Sequence, residues 1–326
     1  MLLALALPLA ACGGGSDDNN AKGGSGGAPS GGSGGTALTG GGTGGGGASG
    51  GGTGGGSGGG VACSKGPGYA SSDPAHHVNQ LTGKILDIDG KPVVGTLAQV
   101  CGIDVCVNGT TNDQGDIVTC DTGTPPICGT GIKPNVDEKR PAFKYGEGID
   151  YVKFAYLLPT DTSDYAIGTM TTVALPAKST GVALTPGSDA SAGGITVSVP
   201  AGATVKIDKL TFTTPEDQNF RAIEVPIAKA PSAVDATLGF EMLIATTPLE
   251  TRICPNAKLS VPNTPGWPAG TAVEFWLNGL DPAEEWSAYA GWAKISAGTV
   301  SADGQSVVTD DAEGIPILGL FGIKKK

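Results

Sequence analysis

Three groups of residues in this 326-residue chain are equipped for chemistry: seven cysteines, four tryptophans crowded into one short stretch, and scattered carboxylates accompanied by only two histidines. Cys12 has the most specific setting. It follows Leu9-Ala10-Ala11 at the end of an apolar run from Met1 and opens onto Gly13-Gly14-Gly15-Ser16-Asp17-Asp18. Small residues before a cysteine suit cleavage that makes that cysteine the new N-terminus, where its sulfur and its amine can both be acylated. The apolar run has only about half of the ~20 residues a spanning helix needs, so it reads as the core of a signal peptide. No Lys or Arg precedes Leu2, which leaves room for a start further upstream.

The other six cysteines, Cys63, Cys101, Cys106, Cys120, Cys128 and Cys254, form an even set, as expected of disulfides in an exported chain. Their pairing is not deducible from spacing. Zinc is the rival reading, but Cys101 to Cys106 and Cys120 to Cys128 lack the tight knuckle spacing, and no histidine lies between them. His76 and His77 are neighbours and point apart on a strand or a helix, so they read as an entry loop rather than as paired ligands. Trp286, Tyr289 and Trp292 fall three apart and suggest a line of aromatics on which sugar rings stack. Trp267, Trp286 and Tyr289 are therefore the candidate binding aromatics, whereas Trp276 and Trp292 are expected in the core. Glu284-Glu285 reads as a solvated loop. Asn112, Asp113, Asp116 and Asp121 lack the order of a calcium loop and read as a hairpin turn. Neither a metal site, a cofactor site nor a catalytic set emerges. A hydrolase using carboxylates such as Asp87, Asp113 or Glu274 is the runner-up reading.

The elements that must position these residues are strands. Fifty-six glycines and a net charge of -11 set the composition. The acidic balance argues against nucleic acid, which needs a basic footprint. Residues 13–60 are Gly with Ser, Thr and Ala, with nothing to bury, and are expected to form a disordered tether. As a coil it would span roughly 35–40 Å, with a stretched limit near ~160 Å. Within it, Gly31-Gly32-Ser33-Gly34-Gly35 matches a nucleophile elbow by composition alone. Beyond it, short alternating runs separated by turn signals at Asp89-Gly90, Asn108-Gly109, Thr111 to Gly115 and Pro200-Ala201-Gly202 predict an all-β chain. The expected organisation is a signal peptide (1–11), a lipidated Cys12 with linker (12–62), and two β-sandwich domains (63–175 and 176–326).

Three resemblances add to this reading. Leu9-Ala10-Ala11-Cys12 resembles a bacterial lipobox, which implies a lipid anchor in the bilayer, and Gly13 after the cysteine implies the outer membrane or cell surface. Gly83-x-Ile85-x-Asp87-x-x-Gly90-x-Pro92-Val93-x-Gly95, with Thr111 to Gly115 and Ile117, is similar to the opening of carboxypeptidase regulatory-like domains. That family implies a transthyretin-like sandwich without catalysis; Ile117 replaces its usual aromatic. Gly194-Ile195-x-Val197-x-Val199-Pro200-x-Gly202-Ala203, Pro248 to Pro262, and Trp292 to Phe321 resemble the sandwich domain shared by ankyrins, zonula occludens proteins and netrin receptors. Together they imply a non-enzymatic surface lipoprotein displaying binding or structural modules, with an envelope protein or a glycan as its partner.

Overall fold

In the computed structural model the described residues are 72–280, 285–311 and 313–326, all within one compact unit that spans residues 57–326. The expected signal peptide, Cys12, the tether and Cys63 lie outside the described residues. Among the described residues there are 21 strands and three short 3-10 turns, so the chain is all-β.

A six-stranded antiparallel sheet is built from the first half. Its order is Cys128–Thr130, Ile117–Cys120, Cys106–Thr111, Leu97–Cys101, Ala142–Tyr145 and Phe154–Leu157. Beside it, Gln80–Asp87 pairs in parallel with Asp164–Thr172, and Ala75–Val78 pairs with Val136–Lys139. Several turns form where the sequence signals them. At Asp89-Gly90 the Asp87 carboxylate accepts from the backbone N–H groups of Asp89 and Lys91. At 112–116 the Asn112 side chain accepts from Gln114 and Asp116.

Asn108-Gly109 is a correction. It lies inside Cys106–Thr111 rather than in a turn. The turn falls at Gly102 to Val105, because the Cys101–Cys106 disulfide joins residues directly opposite each other and fixes the register. Gln99 then donates to the Asn108 amide at 2.8 Å, and Gly109 admits its neighbours: a Cβ there would lie 2.8 Å from both Ile132 and the Val118 carbonyl. A second disulfide, Cys120–Cys128, closes the next hairpin in the same way.

The second half forms one eleven-stranded sheet. Nine strands follow one path, from Asp189–Ala192 through Ile195–Ser198, the long Arg252–Pro262, Ser306–Thr309, Trp292–Val300, Ala272–Asn278, Leu320–Lys325 and Met242–Thr247 to Arg221–Val225; the other two, Thr204–Lys206 and Ile315–Ile317, also pair with Arg252–Pro262. Its ends approach each other: a Cβ on Gly193 would stand 2.9 Å from the Ala222 carbonyl. The curl encloses a core of Ile195, Val197, Leu259, Phe275, Phe321 and their neighbours.

Among the described residues no sheet pairs a strand from before residue 175 with one from after it, but the apolar clusters draw on both. Val78, Leu81, Ile85, Phe143, Tyr145 and Phe154 share one apolar cluster with Val225, Phe240, Leu243, Ala245 and Leu320. A smaller cluster joins Cys101, Ala142 and Ala155 to Phe212, Leu249 and Tyr289. The two halves are thus packed as one unit. Leu243 is fully buried in the shared cluster. Leu243→Ala should cost about 2–5 kcal/mol and should shift a single unfolding transition for the whole body. Two resolved transitions, only one of them shifted, would refute the shared core.

The segment after residue 175 is clasped by charge. Arg221 is 1% exposed and donates from Nη1 to the Pro176 carbonyl at 2.9 Å. Lys178 pairs with Asp217 at 2.8 Å and lies 3.7 Å from Asp150. The hydrogen bond from Lys178 holds the Asp217 pKa below the ordinary carboxylate range, helped by Thr214, while desolvation opposes it. A carboxyl depressed in the folded state binds fewer protons there than when unfolded. Its stabilisation is therefore present above the unfolded pKa of ~3.9 and is lost as pH falls through the lower folded value. Asp217→Asn should flatten the acid limb of the stability profile below about pH 5. An unchanged limb in pH-dependent denaturation would exclude this clasp as its source.

Candidate functional site

The aromatics are placed differently from the sequence expectation. Tyr289 is completely buried in the cluster between the two halves, with Lys144 5.4 Å over its ring. Burial pushes its phenol pKa above the ordinary range. Trp267 is 5% exposed, and its indole N–H donates to Glu241. Asn263 brackets the Trp267 backbone from both sides. Trp286 is half-buried, with the Arg252 guanidinium 5.6 Å from its ring centre. The expected stacking line therefore does not form. Residues 285–291 are a loop, so a spacing of three does not bring side chains to one face. Trp276 and Trp292, expected in the core, are only half-buried and lean on Phe240 at 6.3 and 4.8 Å.

The carboxylates also divide. Asp87, Asp113 and Glu274 lie on different elements: the end of Gln80–Asp87, the 112–116 turn and the strand Ala272–Asn278. Asp87 serves its own turn, and Glu274 takes a hydrogen bond from Trp276 and an ion pair from Lys294. Asp116 pairs with Lys84, and Asp121 caps the 121–127 loop by accepting from Gly123 and Ile127. His77 meets Asp137 at 2.8 Å on the exposed side of its strand. Glu285 is a correction. It is buried rather than solvated, because Arg252 reaches it at 3.1 Å. Glu284 lies outside the described residues.

Of the six cysteines other than Cys12, four are paired as Cys101–Cys106 and Cys120–Cys128. Cys254 is also disulfide-bonded, and its partner lies outside the described residues.

A narrow pocket gathers groups that the sequence left apart. The described residues that line it include Asn278 at the end of Ala272–Asn278, Glu250, the loop Glu285 to Ser287, and Ile317 to Gly319. Glu250 sits at a tight corner with φ of 59°, held by its N–H to the Leu318 carbonyl. Gly279 donates its N–H to the Gly291 carbonyl and accepts from the Ala290 N–H, which fixes Asn278 beside Trp292. The Asn278 amide nitrogen donates to the carbonyls of Ala155 (3.3 Å) and Gly291 (3.1 Å). Two carbonyls can only face a donor, so they set the amide's orientation. Its Oδ1 is buried and has no partner, as is Thr251 Oγ1 one residue past Glu250. Burial lowers the pKa of Lys153, against the fields of Glu250 and Glu147. Nothing local in the sequence singles out Asn278, which ends the strand Ala272–Asn278. Only the long-range approach of Ala155 shows that the amide is interior.

Arg252 and Glu285 should couple. A double-mutant cycle with Arg252→Ala and Glu285→Gln is expected to give about 1–2 kcal/mol, between the values for exposed and buried pairs. Additive single effects in chemical denaturation would show the pair to be idle.

The chain was compared with protein-family models, with curated proteins and with solved structures, and none of them matches.

Proposed function

We propose that the chain is an envelope lipoprotein, acylated at Cys12, which presents its all-β body on the Gly-rich segment to an envelope protein or a glycan and is not itself an enzyme. The observation that carries this reading is Ala10-Ala11-Cys12, placed between an apolar run and a polar low-complexity stretch. Disulfides in the body support it, since they persist in oxidising compartments outside the cytosol. A single acyl chain binds membranes marginally, and anchoring at both the sulfur and the amine of Cys12 makes the attachment lasting.

The test is metabolic labelling with an alkynyl fatty acid in a bacterial host. Label and membrane association should both disappear in Cys12→Ala. A label that survives this substitution, or an unlabelled soluble wild type, would overturn the proposal.

Acylation also constrains the remaining disulfide. Once the Cys12 sulfur is committed to a thioether, Cys63 is the only cysteine left for Cys254. Non-reducing peptide mapping should then recover a Cys63–Cys254 linked peptide. A Cys12–Cys254 peptide would contradict acylation directly.

A further inference from the structure

We propose that the turn carrying Leu210, with Lys206 and Lys209 beside it, is a bilayer contact: the leucine enters the headgroup–acyl boundary of an anionic lipid surface, and the two lysines meet its phosphates. Leu210 is 93% exposed, the most exposed large apolar side chain among the described residues. A single exposed leucine is ordinary on a protein surface, but the turn beneath this one is built. Asp208 accepts at Oδ1 from the Leu210 N–H and at Oδ2 from the Thr211 hydroxyl, and its carbonyl accepts from the Phe212 N–H at 2.9 Å. Ile207 and Phe212, on either side, pack into the cluster between the halves. The flanks hold the turn to the body while its tip stands in solvent.

Charge and position name the occupant. Lys206 and Lys209 are exposed, and neither has an ion-pair partner among the described residues. Asp208, the one acid in residues 204–212, is taken up by the turn itself. On a chain of net charge -11 most of the surface is repelled by anionic lipid, so a face with unpaired lysines is the one that can approach. Position is a second, independent argument. Where Thr204–Lys206 pairs with Arg252–Pro262, Lys206 lies opposite Arg252 and Thr204 lies opposite Cys254. Val205 and Ile253 between them pack against the core of the curled sheet, so Lys206, Arg252 and Cys254 share the outward face. Arg252 is engaged by Glu285 and lies over Trp286, an aromatic of the kind that settles between lipid and water. The disulfide partner of Cys254 is Cys12 or Cys63, the two cysteines that precede residue 72, so the N-terminal segment is fastened to this same face. The choice of a bilayer over a protein partner rests on the lipoprotein reading, in which the chain from the anchor at Cys12 reaches the body on the face that carries the turn.

The test is sedimentation of the full-length Cys12→Ala chain with lipid vesicles. No acyl chain then contributes, so this proposal and acylation at Cys12 can each fail alone. Vesicles of phosphatidylglycerol and phosphatidylethanolamine in equal parts should bind the chain about tenfold more tightly than vesicles of phosphatidylcholine. Leu210→Ser should weaken that binding about tenfold through the lost apolar insertion. The pair Lys206→Gln and Lys209→Gln together should weaken it about tenfold through the lost charge. All three side chains are exposed, so the unfolding temperature should stay where it is in both variants. Ile127→Ser, on the Cys120–Cys128 hairpin and also exposed, should leave binding unchanged. Equal binding of the two vesicle types, unchanged affinity in the Leu210 variant or in the double lysine variant, or an equal loss in Ile127→Ser would each overturn the proposal. No binding to either vesicle would overturn it in favour of a protein partner.

Discussion

The strand Met242–Thr247 is the constraint on which the rest of the body depends. All six of its residues are buried, and alternate side chains enter different cores. Met242 and Ile244 face the interior of the curled sheet, while Leu243 and Ala245 belong to the cluster shared with the first half. Because the side-chain period is two, a slip of one residue would exchange the two sets. Pairing on both sides prevents this: Ala245 lies opposite Leu320, and Thr247 lies opposite Arg221. One strand's register thus sets the packing of both halves, and neither half completes its core without it.

Docking of the halves uses a different kind of bond from the one that builds them. Among the described residues, the bridging hydrogen bonds run from side-chain donors. Thr247 donates to the Gly148 carbonyl at 2.6 Å, Arg140 to Tyr289 at 2.9 Å, Lys229 to Ile88 at 3.2 Å, and Asn278 to Ala155 at 3.3 Å. Ser232 reaches the Met170 sulfur at 3.5 Å. Apolar burial supplies most of the driving force, but it is non-directional. These donors select one orientation, because any other would strand buried polar groups.

What was legible in the sequence was local. Asp89-Gly90, Asn112 to Gly115 and Pro200 to Ala203 form turns where short-range chemistry dictates them, and the period-two runs form strands. The illegible part depends on distant partners. Asn108-Gly109 has the composition of a turn, but a disulfide five residues long overrides it. The parallel pairing of Gln80–Asp87 with Asp164–Thr172 joins segments far apart in the chain and leaves no local mark. The aromatic spacing misled for the same reason. Tyr289 and Trp267 are covered by groups from other elements, Lys144 and Lys325 among them, so their burial could not be read from neighbours in sequence. The pocket was invisible because Asn278, Glu250 and Glu285 meet only after the second sheet curls.

Asn278 ties docking to the pocket, and the choice of side chain is informative. At Arg140 and Lys229 the bridge to a carbonyl is made by a cation, which has donors and no acceptor. At Thr247 it is made by a hydroxyl, whose small oxygen spends its proton on Gly148. An amide is the one donor in this group that must bring a carbonyl with it. Where a donor alone was needed, that carbonyl is a buried liability, and the fold has solved the same problem elsewhere without one. Here the amide's nitrogen is pinned by the carbonyls of Ala155 and Gly291, one from each half, so the same side chain that fixes the docking carries the stranded Oδ1.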